Sequence, residues 1–219
     1  MATVSLCMIV KDEALVLARC LESVSPLCDE ILIADTGSTD ETKAIASRFT
    51  GRMFDFPWVD DFAAARNFIF SKARMDYQLW LDADDVLPKK SLEILLELKK
   101  NLTADVVMLP YHVAFDAEGN PTCTFWRERL LRRERGFRWE GAVHEAITPS
   151  GNILRVDAPV EHRKEHVNDP DRNLRIYETQ RREGKTFSPR ERFYYARELM
   201  WHDRPREAAE EPSIRAEIQ

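Results

Sequence analysis

The sequence predicts an α/β protein with a mainly parallel sheet flanked by helices and a small helical appendage at its C-terminal end. Three observations lead to this fold class. Short apolar runs alternate with stretches of helical periodicity through residues 4–111, which is typical of strand–helix–strand crossovers in a parallel sheet. Acidic residues follow three of these apolar runs, and about the last fifty residues show only helical patterns.

The predicted strands are nearly unbroken apolar runs, which suit strands covered on both faces. They lie at residues 4–10, 30–34, 52–56, 77–81 and 106–111. Beyond Phe115 the alternation stops, and residues 116–122 have the composition of a hairpin turn.

Helices are predicted between the strands and after them by apolar residues at three- and four-residue spacing. The second helix would begin at a capping box of Ser38 and Glu41, and the last at Ser188 and Glu191 with Pro189 in its first position. The residues that define the helices are Leu17, Leu21 and Val24; Ile45 and Phe49; Phe62, Ile69 and Ala73; Leu92, Leu95 and Lys99; Leu174 and Tyr177 behind Asp171; and Phe193, Ala196, Leu199 and Met200.

Bulk composition narrows the class of protein. The net charge of −6 argues against a non-specific nucleic-acid binder, because such proteins display a basic excess. The four cysteines form no C-x-x-C pair, and we expect them to be reduced. The chain begins without a charged leader, and no run of about 18 apolar residues occurs. We therefore expect a cytoplasmic protein, with peripheral contact to a membrane surface left open.

The densest group of candidate functional residues is Asp82, Asp84 and Asp85, directly after an apolar strand. Carboxylates this close repel one another unless a cation or a network of donors neutralises them. Mg²⁺ or Mn²⁺, with phosphate oxygens and water completing the coordination shell, is what such a site usually binds. The alternative is a helix N-terminal cap, because Pro88 and Ser91 announce a helix soon afterwards.

Two further groups of acids fall at the same predicted edge of the sheet. Asp12 and Glu13 follow the first strand, and Asp35 ends the second. The carboxyl ends of parallel strands meet at one edge, where open α/β sheets bind their ligands. The placement of the acids therefore predicts a site for a phosphorylated ligand.

Five motifs occur in the order typical of family 2 glycosyltransferases with the Rossmann-like GT-A fold, and the chain resembles this family over about residues 3–166. The motifs lie at residues 8–13 (MIVKDE), 34–40 (ADTGSTD), 65–67 (ARN), 81–85 (LDADD) and 139–145 (WEGAVHE). The subgroup it most resembles is small bacterial transferases with C-terminal tetratricopeptide-like helices. We therefore expect a catalytic domain at residues 1–166 and a helical appendage at 167–219, either packed on that domain or cut short.

The resemblance implies an inverting, metal-dependent transferase that moves a sugar from a nucleotide-sugar, commonly a UDP-sugar, to a peptide, protein or saccharide acceptor. Mg²⁺ or Mn²⁺ is the implied cofactor. It also implies that Asp12 and Glu13 line the nucleotide pocket and that Asp35 contacts the uracil or ribose. Arg66 and Asn67 would steady the base pocket or the acidic loop, with a structural salt bridge as the alternative for Arg66.

By the same resemblance, Asp82 and Asp84 form the D-x-D motif, with Asp82 nearer the ribose and metal and Asp84 binding the metal more directly. His162 matches a late histidine that approaches the metal or diphosphate, although a structural histidine is the alternative. Inversion requires a base that takes the acceptor's proton. Glu145 is the first candidate, and His144 is either the competing base or its orienting partner; the alternative is that the two satisfy each other within a hairpin.

Some features depart from the family or leave other classes open. The family often has Asn where this chain has Asp12, and the Q-x-x-R-W segment of processive synthases is missing, so transfer of one or a few sugars is expected. A sugar-1-phosphate nucleotidyltransferase would need a Gly-rich first loop, which residues 4–13 lack. A non-catalytic nucleotide-binding or scaffold protein is the remaining alternative.

A group of arginines with aromatic neighbours follows the hairpin turn. These arginines would either meet a diphosphate or anionic acceptor or form a solvated face, and they are Arg127, Arg129, Arg132 and Arg133.

Overall fold

The computed structural model describes residues 1–165 and 169–211, and within them nine strands form one sheet. The strands are β1 (Val4–Val10), β2 (Glu30–Asp35), β3 (Met53–Asp55), β4 (Tyr77–Trp80), β5 (Asp85–Val86), β6 (Val106–Phe115), β7 (Pro121–Arg132), β8 (Ile153–Arg155) and β9 (Val160–His162). The helices are α1 (Leu17–Val24), α2 (Thr42–Ser47), α3 (Phe62–Phe70), α4 (Lys89–Lys99), α5 (Arg172–Arg182), α6 (Pro189–Trp201) and α7 (Pro205–Glu210).

Seven of the nine described strands run in one direction, which confirms the mainly parallel sheet. The order is β3-β2-β1-β4-β7-β6-β9-β5, with β8 beside β6. β1 pairs in parallel with β2 and β4, and β2 with β3. β7 is antiparallel to β4 and β6, so β6 has the direction of β4, and β8 and β9 follow β6. The carboxyl ends of β1 to β4 therefore lie at one edge of the sheet.

The core forms because β1 is buried on both faces. Alternate residues from Val4 to Val10 join Leu17 of α1 in one apolar cluster. Ser5 and Cys7, which point to the other face, are buried as well. Removing a leucine such as Leu17 from water contributes about 1.5–3 kcal/mol relative to leaving it exposed. α1 therefore covers one face of the sheet, whereas the loops at the carboxyl edge of the sheet carry polar residues.

The predicted start of the second helix is wrong. α2 begins at Thr42, and Glu41 precedes it without any side-chain capping bond. The Ser38 hydroxyl instead accepts a hydrogen bond from the backbone N–H of Asp12 at 2.9 Å, so it ties two loops together. By contrast, the capping box of Ser188 and Glu191 at α6 is confirmed, with both reciprocal bonds present.

The chain divides into two compact units. The first contains the described residues 1–58, 64–139 and 147–165, including the whole sheet, and the second contains 59–63, 140–146 and 169–211. In the second unit the rings of Tyr177, Phe187 and Tyr195 pack together, with centroids 5.5 to 5.7 Å apart. The Tyr177 hydroxyl donates to the carbonyl of Val143 at 3.3 Å. Residues 140–146 are thus held by the helices of their own unit.

All four cysteines are free thiols. Across residues 1–165 and 169–211, each helix is too short or too polar to cross a lipid bilayer.

Candidate active site

Residues 82–85, here called the acid loop, follow β4 at the carboxyl edge of the sheet. The loop closes on itself: the N–H of Asp85 donates to the carbonyl of Asp82 at 3.1 Å. In return the N–H of Asp82 donates to Oδ2 of Asp85 at 3.0 Å. Asp85 is fully buried, whereas the side chain of Asp82 is 37% exposed. The loop therefore turns its three carboxylates into different environments.

Asp82 is paired with Arg66, which lies in the middle of α3. Nη2 of Arg66 donates to Oδ1 of Asp82 at 2.7 Å, and the guanidinium lies between the rings of Trp80 and Trp139, 4.9 and 4.8 Å from their centroids. Burial alone would raise the pKa of Asp82, but Arg66, with help from Arg129, lowers it to about 2. Asp82 is consequently an anion at neutral pH.

Asn67, the neighbour of Arg66, holds the backbone of Trp139. Its Nδ2 donates to the Trp139 carbonyl at 2.9 Å, and its Oδ1 accepts from the Trp139 N–H at 3.0 Å. The ring of Trp139 packs edge-on against Trp80, with centroids 4.9 Å apart. Arg66 and Asn67 thus contact the acid loop and its aromatic support, respectively.

Asp84, Asp85 and His162 form the group that could hold a cation among the described residues. One candidate ligand atom from each lies within 4.8 Å of the others. Nδ1 of His162 is 3.3 Å from Oδ1 of Asp84 and 3.5 Å from Oδ1 of Asp85. Hydrogen bonds to Asp84 and then Asp85 raise the pKa of His162 to about 10 despite its partial burial. A bound cation would take the place of that proton, because imidazole must be deprotonated to ligate.

The histidine reaches this cluster because β9 pairs with β5, opposite Asp85 in the register. Two carboxylates and one imidazole offer oxygen and nitrogen ligands that suit Mg²⁺ or Mn²⁺. Asp82, expected as a further ligand, is not in this group and instead contacts Arg66.

Asp35, at the end of β2, is buried with one oxygen saturated and the other not. Its Oδ1 accepts from the N–H groups of Gly37 at 3.0 Å and Ser38 at 2.9 Å. Its Oδ2 is buried and has no hydrogen-bond partner among the described residues. Burial would raise the pKa of Asp35, but the bonds from Ser38 and Gly37 and the charge of Lys43 lower it. A buried, ionised oxygen without a donor is suited to a ligand N–H or O–H.

Asp12 and Glu13 lie in the loop after β1. Asp12 has a left-handed backbone, with φ of 53°, and its Oδ1 accepts from the N–H of Thr39 at 2.7 Å, which fastens this loop to the one after β2. The pKa of Glu13 is raised to about 7, first by burial and then by the charges of Asp84 and Asp82. Glu13 therefore lies within electrostatic range of the acid loop, which brings the first and fourth strand ends into one site.

His144 and Glu145 belong to the second unit. The ring of His144 stacks on Tyr194 with centroids 4.1 Å apart, and its Nε2 is 2.9 Å from Oε1 of Glu198. His144 has a left-handed backbone with φ of 52° and its carbonyl accepts from Nη2 of Arg190 at 3.1 Å. Glu145 is partly exposed. The partner of the His144 ring is therefore on helix α6.

The arginines of β7 and the turn after it do not form one solvated face. Arg129 is fully buried, with Nη1 at 3.0 Å from Oδ2 of Asp85. Arg127 lies over Trp80, with its guanidinium carbon 4.8 Å from the ring centroid. Arg132 and Arg133 bond to the backbone carbonyls of Thr103 and Met75. Only the apolar neighbours Leu130 and Leu131 hinted that Arg129 lies in a buried strand.

Comparisons with known proteins agree with the fold and the motifs. A family model described as Glycosyl transferase family 2 matches residues 5–158. A TPR repeat-containing protein of Synechococcus elongatus is 37% identical over 159 residues, covering 73% of this chain and 39% of its own length. A lipopolysaccharide core biosynthesis glycosyltransferase of Rhizobium meliloti is 30% identical over 155 residues, covering 65% and 56%. The chain therefore spans about two-fifths to somewhat over half of these relatives.

Among solved structures, the chain resembles glucosyl-3-phosphoglycerate synthase of Mycobacterium tuberculosis in complex with Mn²⁺ and uridine-diphosphate-glucose. The TM-score is 0.54 at 15% identity, covering 86% of this chain and 81% of the synthase. At this identity the likeness concerns the fold.

Proposed function

This chain belongs to glycosyl transferase family 2, and we propose that it is an inverting, divalent-metal-dependent glycosyltransferase that uses a UDP-sugar donor. One observation carries the proposal. The group of Asp84, Asp85 and His162 lies at the same sheet edge as Asp35, whose buried Oδ2 lacks a partner among the described residues. A cation group suits the phosphates of a metal-bound nucleoside diphosphate, and an unsatisfied buried acceptor suits its nucleoside.

The donor nucleoside would be recognised by the loops after β1 and β2. Oδ2 of Asp35 would accept a hydrogen bond from the uracil N–H or a ribose hydroxyl, because its ionised form is stabilised by Ser38 and Gly37. Asp12 and Glu13 would line the pocket beside it. The shared network of Asp12, Ser38 and Thr39 keeps the two loops in register, so the nucleoside would meet a preformed surface.

The acid loop would bind the diphosphate through a cation held by Asp84 and His162, with Asp82 and Asp85 adjacent. When bound, Mg²⁺ or Mn²⁺ supplies positive charge that stabilises the departing diphosphate. Arg66 pairs with Asp82 and keeps it ionised, so the charge state of Asp82 would stay constant at neutral pH.

Glu145 would act as the general base and take the proton of the acceptor nucleophile as that atom attacks the anomeric carbon. His144 would then orient the segment, since its ring is fixed by Glu198 and by stacking on Tyr194. The competing assignment makes His144 the base. In that case Glu198 would stabilise the imidazolium that forms, as the carboxylate partner of a catalytic histidine does.

The acceptor would be a peptide, a protein or a saccharide. The TPR-named relative supports a protein or peptide, because helical repeats are common binding surfaces, and the lipopolysaccharide relative supports a saccharide. We assign catalysis to residues 1–166 and acceptor recruitment to the helical appendage at 167–219.

Nucleotide titration tests the proposal. UDP, GDP and dTDP would be titrated by calorimetry into the wild-type chain and Asp84→Ala, each with Mn²⁺ and with a chelator. We expect UDP to bind only with Mn²⁺ and only when Asp84 is present. Uridine-diphosphate-glucose is the first donor to assay for hydrolysis or transfer.

Glu118→Ala is the matched control, because Glu118 is an exposed acid on the hairpin turn between β6 and β7. It should bind UDP as the wild type does. If the wild type binds none of the three nucleotides in any condition, the proposal is contradicted and a scaffold protein is favoured.

A further inference from the structure

The three carboxylates of the acid loop have different partners. Asp82 pairs with Arg66 at 2.7 Å, and Asp85 pairs with Arg129 at 3.0 Å. Asp84 has His162 at 3.3 Å as its ion-pair partner among the described residues. Two of the three negative charges are thus already balanced by arginines, which stay protonated at any working pH. Asp84 is the carboxylate whose charge a cation would balance.

Both oxygens of Asp85 already accept hydrogen bonds. Its Oδ1 accepts from the hydroxyl of Tyr111 at 2.8 Å. Its Oδ2 accepts from Nη1 of Arg129 at 3.0 Å and from the N–H of Asp82 at 3.0 Å. A cation that used Asp85 as a ligand would compete with these donors at a fully buried group, and leaving such donors unpaired is costly.

Arg129 is held in place from several sides. The side chain is fully buried, and its guanidinium carbon lies 3.9 Å from the ring centroid of Trp80 and 4.4 Å from that of Tyr111. Its Nη1 also donates to the carbonyl of Trp80 at 3.1 Å. A guanidinium fixed by two rings and a carbonyl defines where the Asp85 carboxylate can lie, and Asp85 in turn closes the acid loop.

Tyr111 connects this pair to His162. The tyrosine hydroxyl has one hydrogen, which goes to Asp85, so it accepts from Nδ1 of His162 at 2.9 Å. That contact holds the ring with Nδ1 at 3.3 Å from Oδ1 of Asp84, where a cation would take the place of the Nδ1 proton. The chain from Arg129 through Asp85 and Tyr111 therefore sets the position of the His162 ring beside Asp84.

We propose that Asp85 and Arg129 are a buried positioning pair that fixes the acid loop and, through Tyr111, orients His162, so that Asp84 and His162 supply the protein's ligands to the cation. This inference rests on the proposed function, because it concerns the cation site of that function. Asp84 is thereby assigned as a metal ligand and Asp85 as a positioning residue, although the two are adjacent in the sequence and both belong to the candidate cation group.

Four variants test the assignment: Asp84→Ala, the double variant Arg129→Met with Asp85→Asn, Tyr111→Phe, and the control Arg132→Met on the same strand. The double variant removes both charges of the pair, so neither partner is left buried and uncompensated. Mn²⁺ would be titrated by calorimetry with and without UDP, and the Tm of each variant recorded. All measurements of affinity would be made well below the lowest Tm.

We expect Asp84→Ala to lose measurable Mn²⁺ binding. The folded double variant should retain it with a dissociation constant about 10- to 100-fold higher, the usual effect of disturbing groups behind a metal ligand. Tyr111→Phe should also raise the dissociation constant for Mn²⁺, with little change in Tm. Arg132→Met should bind Mn²⁺ as the wild type does.

Loss of Mn²⁺ binding in the double variant equal to that of Asp84→Ala would overturn the inference, because Asp85 would then be a ligand. A double variant with the wild-type dissociation constant for Mn²⁺ would also overturn the inference, because the pair of Asp85 and Arg129 would then be only structural. If the double variant fails to fold, Tyr111→Phe decides, and an unchanged Mn²⁺ constant there counts against the inference.

Failure of the proposed function and failure of the positioning role would give different binding results. A wild-type chain that binds Mn²⁺ but no UDP contradicts the proposed function, while the Mn²⁺ titrations still decide the role of the pair. A wild-type chain that binds no Mn²⁺ overturns the positioning inference itself.

Discussion

The acid loop and the 140–146 segment both carry candidate catalytic residues, but they are stabilised in different ways. The acid loop is anchored by Asp85, whose partners Arg129 and Tyr111 lie on the strands of the sheet. The 140–146 segment is closed by a single bridge between Glu140 and Ala146, and its His144 is held by Glu198 on α6.

Under the proposed function, this difference would separate binding from proton transfer. A loop fixed by buried charges within the sheet is suited to a cation and diphosphate, whose position must not vary. A segment whose histidine depends on a helix can be altered through that helix while the sheet edge stays intact. Substitutions at the sheet edge should therefore change UDP affinity, whereas substitutions in the 140–146 segment or at its partner on α6 should change turnover or stability. Three predictions test this difference.

Glu145→Gln should have the largest effect. If Glu145 is the general base, the amide cannot accept the proton, and kcat should fall by about 10²- to 10⁴-fold. UDP affinity in Mn²⁺ should stay at the wild-type value, since the residues proposed to bind the nucleotide belong to the other unit. Steady-state transfer assays and UDP calorimetry measure the two quantities.

Glu140→Gln, an exposed glutamate of the same segment, is the control and should keep wild-type kcat. Wild-type turnover in Glu145→Gln would transfer the role of base to His144.

Asp35→Asn should act on the opposite side of the comparison. The amide oxygen can still accept from the N–H groups of Gly37 and Ser38, but an NH₂ group replaces the unpartnered Oδ2. A lost hydrogen bond to a charged group amounts to about 1.5–3 kcal/mol, so UDP should bind about 10- to 100-fold more weakly.

The kcat of Asp35→Asn at saturating donor should change far less than its KM. Asp55→Asn is the control, because Asp55 ends the adjacent strand β3 with its side chain 81% exposed. Equal UDP affinity in Asp35→Asn and the wild type would remove Asp35 from the nucleotide site.

Glu198→Gln should have the smallest effect, about 1 kcal/mol of stability at pH 7. Burial would raise the pKa of Glu198, but hydrogen bonds from His144 and Asn173 lower it below the ordinary value of 4.5. The ionised carboxylate therefore stabilises the fold above that pH, and this contribution disappears as the pH falls through the lower folded-state pKa.

The stability difference between Glu198→Gln and the wild type should accordingly narrow below pH 4.5. Denaturant unfolding between pH 3 and 7 measures it, with the exposed Glu183→Gln as control. UDP affinity should not change. A difference that grows on acidification would contradict the assigned direction of the pKa shift.

Much of the fold follows from local sequence patterns. The unbroken apolar runs and the helical spacing around Leu17 and Leu95 place their strands and helices correctly, because burial of one face follows from periodicity alone. The box at Ser188 is confirmed because its bonds lie within four residues. The box at Ser38 is wrong because its hydroxyl meets Asp12, 26 residues earlier in the chain.

The candidate site could be predicted in outline but not in its pairings. Acids at the ends of β1, β2 and β4 indicate a common edge because parallel strands end together. Nothing local distinguishes Asp84 from Asp85, whose difference comes from Arg129, 44 residues away in sequence. The sequence likewise leaves Arg129 between a contact to a diphosphate or anionic acceptor and a solvated face, because the residues around it are rich in charge.

The sequence by itself therefore determined the alternation of strands and helices through residue 111, the sheet edge that carries the acids, and the motifs of the family; the short strands β5, β8 and β9 appear only in the structure. Only the tertiary structure decided which carboxylate is neutralised by which arginine, and that His162 reaches the acid loop through the pairing of β9 with β5. The physical reason is that periodicity and capping act over one or two turns of chain, whereas ion pairs depend on strand order and register. Those are set by the packing of the whole sheet.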